Sequence, residues 1–246
     1  MSAPPSTELP TAAPRQREVA HWFDTTYSTQ GLRYLRGPAA YPIYLQLTDA
    51  EPGERLLDVA CGAGMLLRAA DARGLVPNGV DLAPAGLALA RRQVPSARLA
   101  LANSQFLPFA DASFDVVTCI GSIERFLDRR AALTEFLRVA KPGARFCFMV
   151  RNSKTLTWRI WRQWLGKQNT TGHQDALTMA EWRALFESLG FSIDRVLPDQ
   201  WARQRLRYVL RGFRHVDPRS TERVASGVLP LDWANEFIFI MRKASA

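Results

Sequence analysis

The sequence predicts an α/β fold, a doubly wound, mostly parallel sheet with helices on both faces. Three observations carry this. Short apolar runs near 55–60, 76–81, 97–101, 114–120 and 144–150 alternate with helical stretches near 64–73, 84–93 and 128–140, the order a parallel sheet needs. The first run ends at Cys61-Gly-Ala-Gly64, and a helical stretch opens at once with Met65, Leu66 and Leu67. Asp58 with its glycine turn, Asp81, Asn103 and Ile120 fall near the carboxyl ends of four predicted strands, where such sheets bind ligands.

Composition bounds the class. A chain of 246 residues suits one large domain, and 47% hydrophobic with 22% charged residues is ordinary for a soluble globular protein. No apolar run approaches the roughly 20 residues of a membrane span. The N-terminus has neither a basic n-region nor an apolar h-region, so no secretory signal is expected. Cys61, Cys119 and Cys147 fall at or in predicted strands with no metal-ligand spacing; buried reduced thiols, a cytoplasmic location and no metal site follow as expectations. Most of the net charge of +9 lies beyond residue 150, carried mainly by arginine, which suits forked contacts to phosphate or carboxylate and equally a GC-rich genome.

In chain order, residues 1–14 read as a disordered tail and 15–246 as a single domain. Residues 15–50 hold the N-terminal helices: a short one over Arg17–Phe23, a polar loop over Thr25–Gln30, and another helix over Tyr41–Ala50, stopped by Glu51-Pro-Gly-Glu54. Residues 55–150 form the core, in which Pro84 suits a helix first turn. Residues 151–178 and 200–232 are elaborations after the fifth and sixth strands. The first places Trp158, Trp161 and Trp164 on one helical face, interleaved with Arg159 and Arg162. The second lines up Arg203, Arg207 and Arg211 beside an apolar stripe of Leu206, Val209, Leu210 and Phe213. That row is a solvated face, or a surface for an anionic membrane or an acidic substrate. Between them, Thr178-Met-Ala-Glu181 has the form of a capping box opening a helix that Gly190 ends. Phe191–Leu197 and Glu236–Met241 complete a count of seven strands.

Strand, glycine turn and helix bring backbone N–H groups close to a ligand, and an acid at the tip of the next strand, Asp81, is placed for ribose hydroxyls. A nucleoside-containing cofactor is implied. The dinucleotide pattern G-x-G-x-x-G fails, because its third glycine, counted from Gly62, is Leu67.

Asp58-Val-Ala-Cys-Gly-Ala-Gly64, Gly79-Val-Asp81-Leu, the stretch Leu101–Asp115 with Val116–Ile120, and Leu137–Phe146 together resemble the class I S-adenosylmethionine-dependent methyltransferases, of the small-molecule type seen in ubiquinone and menaquinone biosynthesis. The resemblance implies a Rossmann-like sheet of seven strands with the last antiparallel. It implies S-adenosyl-L-methionine as cofactor and S-adenosyl-L-homocysteine as product. Gly62 and Gly64 would lie against the methionine part and ribose, with Ala60 in the same turn. Asp58 would orient the amino-acid end, Asp81 would take the ribose hydroxyls, and Leu82 would pack on adenine. Asn103 would meet the adenine amino group, Ser104 would offer its N–H to the ring, and Ile120 closes the fourth strand at the crevice. Asp58 and Asn103 could instead cap local turns. The leading segment of this family often folds over the cofactor, which makes His21, Trp22, Tyr27 and Tyr34 candidates for the edge of the site.

Methyl transfer is mostly proximity and in-line orientation, with a general base for a hydroxyl acceptor. The base candidates are His173, His21 and His215. Glu124, in Gly121-Ser-Ile-Glu-Arg-Phe126, borders the substrate in this family and either touches it or pairs with a neighbouring arginine. No N/D-P-P-Y/F motif and no Pro-Cys nucleophile follows the fourth strand, which disfavours DNA as acceptor. The reading is O-, N- or C-methylation of a small-molecule or lipid-like acceptor, with possible peripheral contact to an anionic membrane. RNA methylation and a non-catalytic nucleotide-binding role remain alternatives. Oligomeric state is not legible.

Overall fold

The computed structural model describes residues 14–155, 175–199, 231 and 234–244. Strands β1 (Arg55–Val59), β2 (Val76–Asp81), β3 (Arg98–Leu101), β4 (Phe114–Ile120), β5 (Ala140–Arg151), β6 (Phe191–Asp199) and β7 (Glu236–Lys243) form one sheet in the order β3-β2-β1-β4-β5-β7-β6. The first five pair in parallel; β7 is antiparallel to both β5 and β6. Chain order reverses between β1 and β4, which opens a crevice at their carboxyl ends.

Alternation along each strand makes two cores. Leu57, Phe146, Phe148, Phe237 and Phe239 face one way, onto α5 (Arg129–Val139) and α6 (Met179–Leu189) through Phe136, Trp182 and Phe186. Leu56, Cys147, Met149, Ile238 and Ile240 face the other, onto α2 (Pro42–Leu47) and α3 (Met65–Ala72), with Leu87 of α4 (Pro84–Gln93) in the same cluster. The three cysteines are buried and free. Thr178 and Glu181 form the capping box of α6, and Gly190 ends that helix at φ 97°.

One element departs from expectation. Thr25–Gln30 is not a loop but the second half of α1 (Pro14–Gln30). The threonine hydroxyls bond back along the helix, Thr26 Oγ1 to the Trp22 carbonyl and Thr29 Oγ1 to that of Thr25, each at 2.8 Å, so polar residues sit in a helix without competing for its backbone. Tertiary contacts hold it there. Asp24 Oδ1 accepts the Ala85 N–H at the start of α4 at 2.7 Å, and Tyr27 packs between Gly62 and Gly86. The elaborations that contain His173, His215, the tryptophan face and the arginine row lie outside the described residues, as does the tail to residue 13. No helix among the described residues is long and apolar enough to cross a membrane.

Candidate functional site

The site grows from the turn after β1. Ala60 sits at φ 58° and Gly62 at φ 51°, left-handed conformations that a β-carbon penalises by roughly 1–2 kcal/mol. Asp81, at the tip of β2, pins this turn. Its Oδ2 accepts the Gly62 N–H at 2.7 Å and its Oδ1 the Ala83 N–H at 2.9 Å. The Cys61 N–H donates to the Val80 carbonyl at 3.0 Å. One carboxylate thereby joins the loops after β1 and β2. Burial raises the pKa of Asp81, and the backbone N–H groups it accepts oppose that rise.

Two cavities open at the carboxyl ends of the strands. The first, about 600 Å³, has Asp81, Leu82, Asn103 and Ser104 in its wall and Val19, Phe23 and Tyr27 of α1 against it. The second, about 500 Å³, is lined by Asp58, Cys61, Ile120, Tyr34 and Tyr41. Ala60, Ser122, Arg125, Phe23 and Tyr27 belong to both, so the two spaces adjoin under α1.

Asp58, near the carboxyl end of β1, is buried and accepts the Thr118 hydroxyl of β4 at 2.8 Å. Burial pushes its carboxyl up to about 7; the Thr118 bond opposes this and the Asp81 charge adds to it. Asn103 lines the first cavity, and its Oδ1 accepts the Gln105 N–H at 3.1 Å, so it also caps its own turn.

Asp58, Ala60, Asp81, Leu82, Asn103, Ser104 and Ile120 are thus brought together. Other expected residues are not. Gly64 lines neither cavity. It stands at φ 77° at the start of α3, where a Cβ would come within 2.9 Å of Ala90 Cβ, so it serves the packing of α3 on α4. Gly62 lies beneath α1, where a Cβ would fall 2.1 Å from the Tyr27 hydroxyl. His21 is on the exposed face of α1 and lines neither cavity. Glu124 also lines neither. It is fully buried, its pKa raised by burial and held back by Arg151, whose Nε lies 3.5 Å from Oε1. That contact is an ion pair and not a hydrogen bond, and neither carboxylate oxygen has a hydrogen-bond partner among the described residues.

Sequence reasoning missed what α1 contributes beyond Tyr27. Gln16, Val19, Phe23 and Tyr27 recur at three- and four-residue steps, one face of a single helix. Carrying the helix through Thr25–Gln30 would have exposed that face. Ser122, Arg125 and Phe126 belong to the segment Gly121–Phe126 expected to border the substrate and do line the first cavity; Leu127, just beyond it, was not expected there.

Comparison with known proteins agrees with this geometry. Residues 57–148 match the family model described as methyltransferase domain. The chain is 36% identical over 123 residues to a ubiquinone biosynthesis O-methyltransferase of Idiomarina loihiensis, covering 46% of this chain and 49% of that protein. It is 33% identical over 154 residues to the protein of that name in Hahella chejuensis, covering 58% and 63%. The chain therefore matches about half of the length of these curated relatives. Among solved structures, a geranyl diphosphate C-methyltransferase from Streptomyces coelicolor, in complex with S-adenosyl-L-homocysteine, superposes with a TM-score of 0.68 at 15% identity over 96% of this chain and 100% of that one. At that identity the likeness speaks to the fold alone.

Proposed function

We propose that this chain, which carries a class I methyltransferase domain over residues 57–148, transfers a methyl group from S-adenosylmethionine to a small-molecule or lipid-like acceptor. The observation that carries the reading is the pair of adjoining cavities at the point where strand order reverses, one walled by Asp81, Leu82, Asn103 and Ser104, the other by Asp58. A nucleoside fits the first and an α-amino acid the second.

When bound, the cofactor supplies a methyl group already activated by its sulfonium charge. The chain's own residues bind, orient and exclude water. Each Asp81 oxygen has one lone pair taken by a backbone N–H and one left for a ribose hydroxyl. Leu82 and Phe126 offer apolar surface to adenine, and Asn103 and Ser104 offer amide and backbone groups to its edge. Asp58 faces the ammonium of the amino-acid end. Phe23 and Tyr27 of α1 roof both spaces and keep water from the transfer, which then needs little beyond proximity. His21 is exposed and Glu124 lies beside Arg151, so among the described residues neither is placed as a base.

The boundaries of one domain over 15–246, with the acceptor side built by 151–178 and 200–232, belong to the same proposal. So does contact of the tryptophan and arginine rows with an anionic membrane, which co-sedimentation with anionic vesicles tests and an absence of pelleting overturns. For the activity, purified protein, methyl-labelled cofactor and a cell extract are incubated and partitioned between organic solvent and water. Label in a small organic-soluble product supports the reading. Label in RNA or protein, or S-adenosylhomocysteine binding with no transfer from any fraction, refutes it.

A further inference from the structure

Gln16, on the inner face of α1, is only 7% exposed, and its carboxamide makes no hydrogen bond among the described residues. It is not packed into the core but lines the first cavity. A desolvated amide left unpaired is costly, so such a group in a cavity wall marks the place of a ligand or of ordered water.

Its position along the crevice says which part of a ligand it meets. Phe23 and Tyr27 line both cavities, whereas Val19 and Gln16, nearer the N-terminus of α1, line the first alone. Under the reading above, the amino-acid end of the cofactor lies at Asp58 in the second cavity and the ribose at Asp81. The base then fills the part of the first cavity that does not adjoin the second, among Leu82, Asn103, Ser104, Phe126 and Gln16. Asn103 and Ser104, side by side after β3, serve one polar edge of adenine, through its amino group and the neighbouring ring nitrogen. Adenine has a second polar edge, made of the other amino hydrogen and N7. A carboxamide matches that edge with both its groups, the oxygen accepting from the amino group and the NH2 donating to N7.

We propose that Gln16 pairs with the amino and N7 edge of the cofactor's adenine, and so selects this base from the α1 side of the crevice. The inference rests on the methyltransferase reading. Gln16 is a specificity residue in this scheme and takes no part in the transfer itself. The pairing also ties α1 to the bound cofactor, since one helix holds the base through Gln16 and roofs the transfer through Phe23 and Tyr27.

The test compares S-adenosylhomocysteine with its 7-deaza analogue, in which a C–H replaces N7 and the amino group is kept. Calorimetry gives both affinities for wild type, Gln16→Leu and Gln16→Glu. Neither Asn103 nor Ser104 meets N7 in this arrangement, so the ratio of the two affinities reports on Gln16. Wild type should bind S-adenosylhomocysteine about tenfold more tightly than the analogue, the size of one buried hydrogen bond whose donor is otherwise left unpaired. Gln16→Leu should bind the two within about twofold of each other. Gln16→Glu keeps the size of the side chain and an acceptor for the amino group, but turns an oxygen toward N7, and should prefer the analogue. Wild type that binds both ligands equally overturns the proposal. So does a preference for S-adenosylhomocysteine that persists in the variants, or loss of both ligands by both variants, which marks Gln16 as packing for α1. Wild type that does not bind S-adenosylhomocysteine at all defeats the methyltransferase reading and the proposal with it.

Discussion

Asp58 gives the site a pH dependence with opposite signs for stability and for binding. Its carboxyl is pushed up to about 7, first by burial. The folded state therefore holds this proton more tightly than the unfolded chain. The stability it confers is greatest in acid, declines as pH rises from the ordinary carboxylate range to about 7, and is flat above. A rise of about three pH units corresponds to about 4 kcal/mol. Binding runs the other way, because the ammonium of the cofactor's amino-acid end is attracted to the ionised form. At about pH 5.5 only about 3% of Asp58 is ionised, so S-adenosylhomocysteine should bind about 30-fold more weakly than at about pH 8.5. Adenosine, which lacks that end, should bind equally at both. Asp58→Asn keeps an amide oxygen for the Thr118 hydroxyl and removes the titration. It should bind S-adenosylhomocysteine weakly at every pH, yet resist urea better than wild type at about pH 8, by up to about 4 kcal/mol. Calorimetry across this range, with urea unfolding of the free protein, reads both effects. A wild-type affinity flat in pH, retained by Asp58→Asn, would refute the reasoning.

Asp81→Ala should abolish S-adenosylhomocysteine binding and also cost about 2–3 kcal/mol of stability, because the Gly62 and Ala83 N–H groups lose their acceptor; calorimetry and urea unfolding separate the two losses. Gly64→Ala should destabilise by about 2 kcal/mol from positive φ and the clash with Ala90 Cβ, and Ala90→Gly should return the steric part in the double variant. Arg36 joins the N-terminal segment to the far sheet edge, donating to the buried Asp199 at 2.5 Å and to Glu236, while the Tyr44 hydroxyl donates to Asp199 at 2.8 Å. Arg36→Met removes the charge partner of a buried carboxylate and should lower the urea midpoint by the equivalent of about 3 kcal/mol.

The cofactor half of this site was legible because each part is local to a strand and its tip. Period-two alternation fixes which residues face the helices, and the ladder between strands carries Asp58, Asp81 and Ile120, with Asn103 two residues beyond β3, to the carboxyl ends of the strands. What escaped depends on partners far apart in sequence. That Gly64 also packs against Ala90 is not visible until α3 and α4 are seen together. Glu124 is not seen from sequence to be buried, nor to lie beside Arg151 at the end of another strand. Thr25–Gln30 has the composition of a loop, and only the seat of Tyr27 between Gly62 and Gly86 and the Asp24–Ala85 bond explain why it is helix.

That division follows from how the fold is made. Strand tips are held by hydrogen bonds whose spacing no side chain can alter, so residues at them keep their positions whatever the loops do. Beyond the strand tips, their turns and α3, the walls of the second cavity come from α1, the Tyr34–Tyr41 segment and the turn after β4, packed there by side-chain contacts. Such contacts change with single substitutions, which lets one sheet serve different acceptors. Arg125 illustrates the point. Its guanidinium lies over the rings of Phe23 and Trp22, a hundred residues earlier in the chain. Under the proposed function, substitutions on the inner face of α1 where it lines both cavities should change which acceptor is methylated before they change whether the cofactor binds.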